Sequence, residues 1–391
     1  MTKSELKKWI CSWIDERKEQ WIASGEELLR MPEISYREKR TSEYVRRALD
    51  KCGLPIGKPF AITGVCADLE TGRPGPRVGI LGELDAIIVP AHPFADPETQ
   101  AAHACGHHAA LNAMLGCAAV LSQPEVLQEL SGAVRFCGCP SEECQDQPYI
   151  ASLIAAKKLR FFGGKSEMIA EGIFADIDIA MMLHAGDRNA TTSGFNGFVM
   201  KQLIFQGRSS HAGASPEEGI NALSMLRSAM NLLDAQRDTF RDEDHVRIHG
   251  YVPEGGKAVN VVPDHAILTL QVRGGSPAAI RDASAKVDRC VFASAMAFGG
   301  TAEVRNLFGF MPLVPYAELD TIHENNVSLI AGNDPFVRGV YRCSSTDMGD
   351  VSMIRPSLHP YFQGFSGTPH RDDFLVSDPV KAYVDPCKFL A

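Results

Sequence analysis

The stretch VGILGELD, residues 78–85, gives the clearest indication of the fold. It is apolar or glycine up to Gly82 and ends in the carboxylates of Glu83 and Asp85. A nearly continuous apolar run of this length is typical of a strand buried on both faces of a parallel sheet. Because α/β proteins bind ligands beside the carboxyl ends of such strands, the two carboxylates are candidates for chemistry.

Two more apolar runs follow along the chain. GAVRFCGCP at 132–140 leads into the adjacent pair Glu142 and Glu143, and DIDIAMMLHAG at 176–186 contains His184. Helical segments alternate with these strand-like runs. The pattern predicts the α/β class, with a mixed, largely parallel sheet flanked by helices.

The middle of the chain has a different pattern. Residues 197–309 predict the order strand, helix, strand, strand, helix, strand, which is a ferredoxin-like βαββαβ arrangement. Ser276 and Pro277 form an N-cap and first-turn pair before its second helix. We therefore predict a lid or dimerisation domain at 197–309, inserted into a split catalytic domain formed by 1–196 and 310–391.

Composition and charge exclude several protein classes. The formal net charge is −9 without an extended basic run, which argues against nucleic-acid binding. The sequence contains no stretch of eighteen apolar residues, so we predict no transmembrane helix. Residues 4–31, interpreted as one long amphipathic helix, lack the apolar core of a secretory signal, and the 11 cysteines show no disulfide framework. We expect a cytoplasmic protein that acts on a small molecule, without nucleic-acid or membrane partners.

Metal-ligand residue types are concentrated in a few short motifs. Cys105 and His107, in HACGHH, are two positions apart, which suits a tight turn facing one cation. Glu143, His184 and His370 would complete five nitrogen, oxygen and sulfur ligands. Five such ligands are enough for two divalent ions that share a bridging group.

Two carboxylates beside these ligands predict supporting roles. Asp85, without binding the metal itself, could orient a ligand or hold a bridging group. Two adjacent glutamates point to different sides, so Glu143 can bind metal while Glu142 takes a proton from the activated water.

Each of these residues also has an ordinary structural explanation. A Cys-Gly-His sequence can be a buried turn, a glutamate pair can be solvated surface, and His184 can be a hydrogen-bonded core histidine. His359 is a rival for the last ligand position. His108 points either toward the metals or away from them at the start of a helix. The occurrence of all these residues at the ends of apolar runs favours the metal site.

The ordered set of motifs resembles the dinuclear metallohydrolases of aminoacylase and carboxypeptidase-G type (peptidase clan MH). Within them it is most similar to the amidohydrolases that include auxin-conjugate hydrolases and p-aminobenzoyl-glutamate hydrolase. The resemblance covers nearly the whole chain. It is carried by MPEISYREKRTSEYV, GELDA, HACGHHAALNAMLGCAAVL, SEE, LHAG, GRSSHAGASPEEGINAL, AVNVVPDHA and SSTDMGDVS.

The resemblance implies two divalent metal ions per subunit, Mn²⁺ or Zn²⁺, with Co²⁺ as a further possibility. The implied ligands are Cys105, His107, Glu143, His184 and His370. Glu142 would be the general base and later the general acid. His211 and Asn260 of the lid would contact the scissile carbonyl or its oxyanion, often across a dimer interface. His108 departs from the family pattern, which commonly has Asp or Asn there.

These expectations predict a metal-dependent hydrolase of a C–N bond. The substrate would be the amide of a small N-acyl or aryl amino-acid conjugate or of a dipeptide, attacked by metal-activated water. Two alternatives stay open: an aminohydrolase (deaminase) of an activated aromatic amine, and a non-catalytic partner subunit of a heteromeric amidohydrolase. A purely structural zinc protein is disfavoured by the glutamate pair.

The predicted lid domain indicates an oligomeric protein. We expect a homodimer or higher homo-oligomer formed through it, since His211 would otherwise have to reach the metals within one subunit.

Overall fold

The computed structural model describes residues 1–332 and 334–391, which form two compact units. The first unit comprises Met1–Ser193, Val314–Tyr341 and Asp350–Ala391. The second comprises Gly194–Leu313 and Arg342–Gly349.

The main sheet of the first unit is mixed and largely parallel. In spatial order its strands are β1 (Val65–Glu70), β5 (Ala133–Cys139), β2 (Arg77–Glu83), β6 (Ile179–Met181) and β14 (Ser357–Leu358). Only the pairing of β1 with β5 is antiparallel in this sheet, and the other three pairings are parallel. The fold class predicted from the apolar runs is confirmed.

Further strands form a second sheet and two ribbons. A second sheet has the order β13 (Phe336–Arg342), β8 (Asn189–Phe195), β15 (Tyr361–Phe362) and β7 (His184–Ala185). Two ribbons pair β3 (Ile87–Ile88) with β4 (Ala101–Ala102), and β16 (Phe365–Ser366) with β17 (Leu375–Val376).

The segment predicted as one strand at 176–186 is two short strands in different sheets, so that prediction is wrong. β6 pairs with β14, and β7 pairs with β15 in the same parallel register. Pro360 lies between β14 and β15 and has no amide hydrogen to donate, so the ladder is interrupted there. His184 consequently lies at the edge of the second sheet.

Helices cover the sheets of the first unit. They are α1 (Lys3–Asp15), α2 (Lys18–Leu29), α3 (Lys39–Lys51), α4 (His107–Leu121), α5 (Pro124–Leu127), α6 (Gln147–Ala155), α7 (Gly164–Ala170), α10 (Ala317–Ala331), α11 (Met348–Ser352), α12 (Pro379–Tyr383) and α13 (Asp385–Leu390). Helix α11 begins in the second unit and ends in the first. The central helix, α4, is apolar all round and is buried along nearly its whole length.

The single N-terminal helix expected at 4–31 is wrong, because α1 and α2 are separate helices. The chain turns at Glu16 and Arg17. The Arg17 guanidinium donates to the carbonyl of Trp13 at 3.0 Å, which satisfies one of the carbonyls left unpaired at the end of α1.

The second unit has the predicted βαββαβ order. Its elements are β9 (Gly197–Gln206), α8 (Ala222–Ala235), β10 (Arg247–Glu254), β11 (His265–Gly274), α9 (Pro277–Ala297) and β12 (Thr301–Phe310). The strands form an antiparallel sheet in the order β10-β11-β9-β12, and α8 and α9 pack on it. Ser276 caps α9 by accepting from the amide of Ala279, as its position before Pro277 predicts. In residues 1–332 and 334–391, no helix is both long and apolar enough to cross a membrane.

Candidate metal centre

The Cys-Gly-His turn is held in place by close packing. Gly106 has φ of 81°, and a Cβ atom there would lie 2.3 Å from the Cβ of Ala185, so only glycine fits. The helix α4 begins immediately after it, at His107. The turn therefore places the side chains of Cys105 and His107 on either side of a tightly packed glycine.

The orientation of the His107 ring is set by Asp85. Its Nδ1 donates to the main-chain carbonyl of Asp85 at 2.9 Å, so Nε2 faces away from that residue. Three carboxylates surround Nε2: the nearest oxygen of Glu83 is at 3.2 Å, and those of Glu142 and Glu143 are each at 4.0 Å. His107 thus presents a nitrogen to an acidic cluster.

Cys105 joins this cluster to His184. Its Sγ lies 3.4 Å from Nε2 of His184, whose Nδ1 donates to the carbonyl of Ala185 at 2.8 Å. The ring of Tyr361 packs edge-on against the His184 ring, with centroids 5.0 Å apart. The hydrogen bond and the packing together direct Nε2 of His184 toward the thiol.

His370 approaches from the C-terminal segment. Its Nε2 is 3.2 Å from Oε1 of Glu143, and its amide donates to the carbonyl of Ala104 at 2.8 Å. The Glu143 side chain is largely buried, whereas 49% of the His370 side chain is exposed. His370 is therefore the solvent-facing member of the cluster.

Three overlapping groups of side chains have the geometry of metal sites. They are Cys105–His107–His184, Cys105–Glu143–His370 and Glu83–His107–Glu142, and within each group the ligand atoms lie within 4.8 Å of one another. Metal–ligand bonds of about 2.0–2.3 Å at tetrahedral angles place ligand atoms about 3.3–3.8 Å apart. Because Cys105 belongs to two groups, it is a residue that two bound cations would share.

Buried polar atoms support the same interpretation. Glu83 Oε2 and His107 Nε2 are buried without a hydrogen-bond partner among the described residues. Buried polar groups are nearly always paired, and unpaired ones often mark an ion. The donor set of thiolate, imidazole and carboxylate fits divalent zinc or a similar cation.

The electrostatics of the cluster favour a thiolate. Burial and the Glu143 carboxylate oppose ionisation of Cys105, but the imidazoles of His107 and His184 outweigh them and lower its pKa to about 6. Hydrogen bonds from His370 to Cys105 and Glu143 raise the pKa of His370 to about 11. The metal-free cluster therefore holds protons where cations would bind.

Asp85 and Glu142 lie beside the predicted ligands. Asp85 is completely buried; one carboxylate oxygen is 3.4 Å from Nδ1 of His107 and the other accepts from the amide of Glu143 at 2.9 Å. Glu142, 9% exposed, lies in a tight loop in which Ser141 and Cys144 both have positive φ. Non-glycine residues in such conformations are strained and cluster at functional sites.

The other two candidate histidines lie outside the three groups. His359 is buried, with Nδ1 3.3 Å from the carbonyl of Met182 and its ring 5.6 Å from that of His184. His108 points away from the carboxylates, with its Nε2 3.1 Å from the hydroxyl of Tyr383. The orientation that the sequence left open for His108 is thus the one away from the ligands.

The lid residues His211 and Asn260 are neighbours in the second unit. The amide of Ala212 donates to the carbonyl of Asn260 at 3.0 Å, and both residues are exposed. Nδ1 of His211 accepts from the amides of Gly213 and Ala214. The neutral ring therefore carries its hydrogen on Nε2, where it is free to donate to a ligand.

Sequence reasoning missed one charged residue beside the cluster. Lys165, on α7, has no exposed surface, and its Nζ lies 2.7 Å from Oε1 of Glu83. The preceding Gly164 allows the close approach, since a Cβ there would lie 1.7 Å from the carbonyl oxygen of Pro140. The glycine pair that precedes Lys165, Gly163-Gly164, is the local sequence feature that could have indicated close packing there.

Comparisons with known proteins identify similar chains. The family model of the M20 peptidase dimerisation domain matches residues 192–291. The chain is 28% identical to the Xaa-Arg dipeptidase of Mus musculus, over 91% of this chain and 79% of that protein. It is 25% identical to one of the subunits of the p-aminobenzoyl-glutamate hydrolase of Escherichia coli, over 76% of this chain and 67% of that protein.

A solved structure shares the fold. The crystal structure of YXEP from Bacillus subtilis, described as a dinuclear metal-binding peptidase of the M20 family, superposes with a TM-score of 0.74 at 18% identity. The match covers 96% of this chain and 97% of that one. These comparisons confirm the resemblance inferred from the sequence motifs and the prediction of an enzyme of the hydrolase class.

Proposed function

We propose that this chain, as a relative of the M20 dinuclear metallohydrolases, hydrolyses the amide bond of a small N-acyl or aryl amino-acid conjugate or of a dipeptide. The single observation that carries the proposal is the pair of ligand groups that share Cys105, with Glu142 beside them. A thiolate shared by two ligand groups and an adjacent glutamate suit a two-metal hydrolase. A structural zinc site, with a closed set of cysteines and histidines, needs neither.

Five residues would hold the two divalent ions. Cys105, His107 and His184 form one group, and Cys105, Glu143 and His370 form the other. The ions, when bound, lower the pKa of a water molecule and polarise the scissile carbonyl. The thiolate and imidazoles suit Zn²⁺, whereas the carboxylates also suit Mn²⁺, and Co²⁺ binds the same donor set.

Glu142 would move the proton. As general base its carboxylate takes a proton from the attacking water, and as general acid it returns that proton to the departing nitrogen. Asp85 keeps the ring of His107 in one tautomer through the hydrogen bond at Nδ1, and it fixes Glu143 through the amide of that residue. Both contacts reduce the freedom of the predicted ligands.

His211 and Asn260 would act on the carbonyl oxygen of the substrate. Because Nδ1 of His211 accepts two main-chain hydrogen bonds, its Nε2–H is the group that is free to stabilise a developing oxyanion. The match to a dimerisation domain supports assembly as a homodimer. In such a dimer the pair could serve the partner subunit's centre.

The names of two relatives support the substrate class. An Xaa-Arg dipeptide and p-aminobenzoyl-glutamate both contain an amide that joins an acyl group to an amino acid. We therefore place the cleavable bond between an acyl or aminoacyl group and the nitrogen of an amino acid.

The deciding experiment is a mass-spectrometric substrate screen of the metal-loaded protein with Glu142→Gln as its control. The pool contains dipeptides, N-acyl amino acids, auxin conjugates, aminobenzoyl-glutamate and activated arylamines. We expect cleavage of one amide class, and a loss of roughly 10²–10⁴-fold in kcat for Glu142→Gln with both metals retained. Turnover near wild type in that variant would contradict the mechanism.

The other outcomes identify the alternatives. Release of ammonia from an arylamine, dependent on Glu142, would make the protein a deaminase. Two bound metals without turnover of any compound would favour a non-catalytic partner subunit.

A further inference from the structure

We propose that Glu83 is a sixth metal ligand, bound to the same ion as Cys105, His107 and His184, and that Lys165 holds its carboxylate in place. The inference deepens the proposed function, because it rests on the same metal centre. It assigns a ligand role to Glu83, which the sequence indicated only as a candidate for chemistry, and adds Lys165, which the sequence motifs did not identify.

The contact between Glu83 and His107 requires a proton or a metal ion between the two side chains. Since Nδ1 of His107 donates to the carbonyl of Asp85, a neutral ring has a lone pair on Nε2. That lone pair faces Oε2 of Glu83 at 3.2 Å, and neither atom has a hydrogen-bond partner among the described side chains and main chain. Two buried acceptors in this position repel each other unless a proton or a metal ion lies between them.

Lys165 fixes the other oxygen of the same carboxylate. Its Nζ lies 2.7 Å from Oε1, and both side chains are at most 1% exposed. Removing two charges from water costs several kcal/mol per ion, so a buried pair is poor evidence for stabilisation alone. The ion pair leaves Oε2 of Glu83 directed at Nε2 of His107.

Glu83 and the other ligands of this ion share His107, which belongs both to the group Glu83–His107–Glu142 and to the group Cys105–His107–His184. Because Nδ1 of His107 is hydrogen-bonded to the carbonyl of Asp85, only Nε2 is left for an ion, and Nε2 faces Glu83. We therefore expect the ion that Cys105, His107 and His184 hold to lie beside Glu83. Those three residues supply three donors, and Glu83 supplies a fourth.

The additional donor makes the two ions unequal. An ion with four protein donors has the closed coordination typical of structural zinc, whereas three protein donors leave a position for water. The group Cys105–Glu143–His370 has three donors and includes the half-exposed His370. We infer that the buried ion binds more tightly and that the ion beside His370 exchanges more readily.

The test compares zinc affinities of four purified full-length proteins: wild type, Glu83→Gln, Lys165→Met and Glu167→Gln. Glu167 is a matched control, because it is a buried carboxylate on the same helix as Lys165 that pairs with Arg160 and not with the cluster. Zn²⁺ is titrated against a chromophoric chelator, and thiolate-to-Co²⁺ absorption is recorded in parallel. Melting temperatures of the metal-free forms report on folding.

We expect Glu83→Gln to lower the zinc affinity of the tighter site by about 100-fold and to leave the affinity of the weaker site nearly unchanged. Loss of groups that support ligands typically costs 10–100-fold in affinity, so Lys165→Met should weaken the same ion by about that factor. Glu167→Gln should bind both ions as the wild type does. Wild-type zinc affinities in Glu83→Gln would overturn the proposal.

A measurement on the wild type decides the question even if Glu83→Gln does not fold. In a crystal structure of the zinc-loaded protein we expect an oxygen of Glu83 at about 2.0–2.2 Å from the ion. A water molecule in that position would overturn the proposal. Two bound ions with Glu83 as a ligand but no hydrolysis would sink only the proposed function, and hydrolysis without a Glu83–metal bond would sink only this inference.

Discussion

His107 and His108 are adjacent, chemically identical and both buried, yet they lie in opposite environments. His107 faces the carboxylates of Glu83, Glu142 and Glu143. Burial lowers its pKa, but the charge of Glu83 and its other anionic neighbours raises that pKa well above the ordinary value. The ring is a site for a proton or a metal ion.

His108 faces an aromatic cavity on the other side of the same turn. The cavity has a volume of about 240 Å³ and is lined by His103, Phe365 and Tyr383 among others. Burial and the neighbouring imidazoles lower the pKa of His108 well below the ordinary value, so the ring is neutral. The comparison teaches that the charges of the neighbours, and not the residue type, separate a ligand from a packing residue.

The largest expected effect comes from replacing His107 by alanine. His107→Ala removes a donor of the buried ion and leaves Glu83 unpaired on one side. We expect one metal per chain instead of two and a loss of at least about 10³-fold in kcat/KM, since metal activation of water is lost. Elemental analysis and amide hydrolysis measure the two effects.

His108→Ala is the matched variant. It removes the contact with Tyr383 and some packing, so we expect a loss of about 1–3 kcal/mol in the free energy of unfolding with both metals retained. Loss of a metal ion in His108→Ala, or retention of both ions in His107→Ala, would contradict the assignment of the two rings.

A smaller effect is expected from Asp85→Asn. The variant keeps the main-chain carbonyl that accepts from His107, but it removes the negative charge beside Nδ1 and changes the acceptor for the amide of Glu143. Outer carboxylates of this kind typically contribute 10–100-fold to metal affinity. Zinc titration should show a loss in that range, and unchanged affinity would mean that Asp85 does not support the ligands.

The contrast between the two histidines shows what the sequence could and could not predict. The alternation of apolar runs and helices predicted the mixed sheet and the inserted βαββαβ unit, because buried strands and amphipathic helices have characteristic periods. Residues at the ends of those runs did meet in one cluster. The direction of His108 was not predictable, because both sides of the turn are buried. The local sequence does not show which side has the charged neighbours.

Contacts distant in sequence were missed for a related reason. Lys165 pairs with Glu83 across 82 positions, and a lysine in a short helix predicts an exposed side chain. The interruption at Pro360 that splits the predicted strand also depends on a partner segment far along the chain. Local patterns determine elements, whereas these features depend on which elements become neighbours.

The smallest expected effect is the pH dependence of metal binding. At pH 7 the metal-free protein holds a proton on His370, whose pKa is about 11, whereas Cys105, with a pKa of about 6, is mostly thiolate. A metal ion that binds these residues displaces the imidazolium proton. Affinity should therefore rise about tenfold per pH unit between pH 6.5 and 8, and more steeply below pH 6, where the thiol must also ionise.

Calorimetry in buffers of different ionisation enthalpy measures this release directly. At pH 7 we expect at least one proton released for each ion bound, because His107 also carries a proton in the metal-free cluster. His108→Gln is the control, since His108 is neutral throughout this range and its loss should not change the proton count. A flat affinity profile without proton release would show that the imidazoles facing the carboxylates are not the groups that the metal ions displace, and the distinction between the two rings would fail.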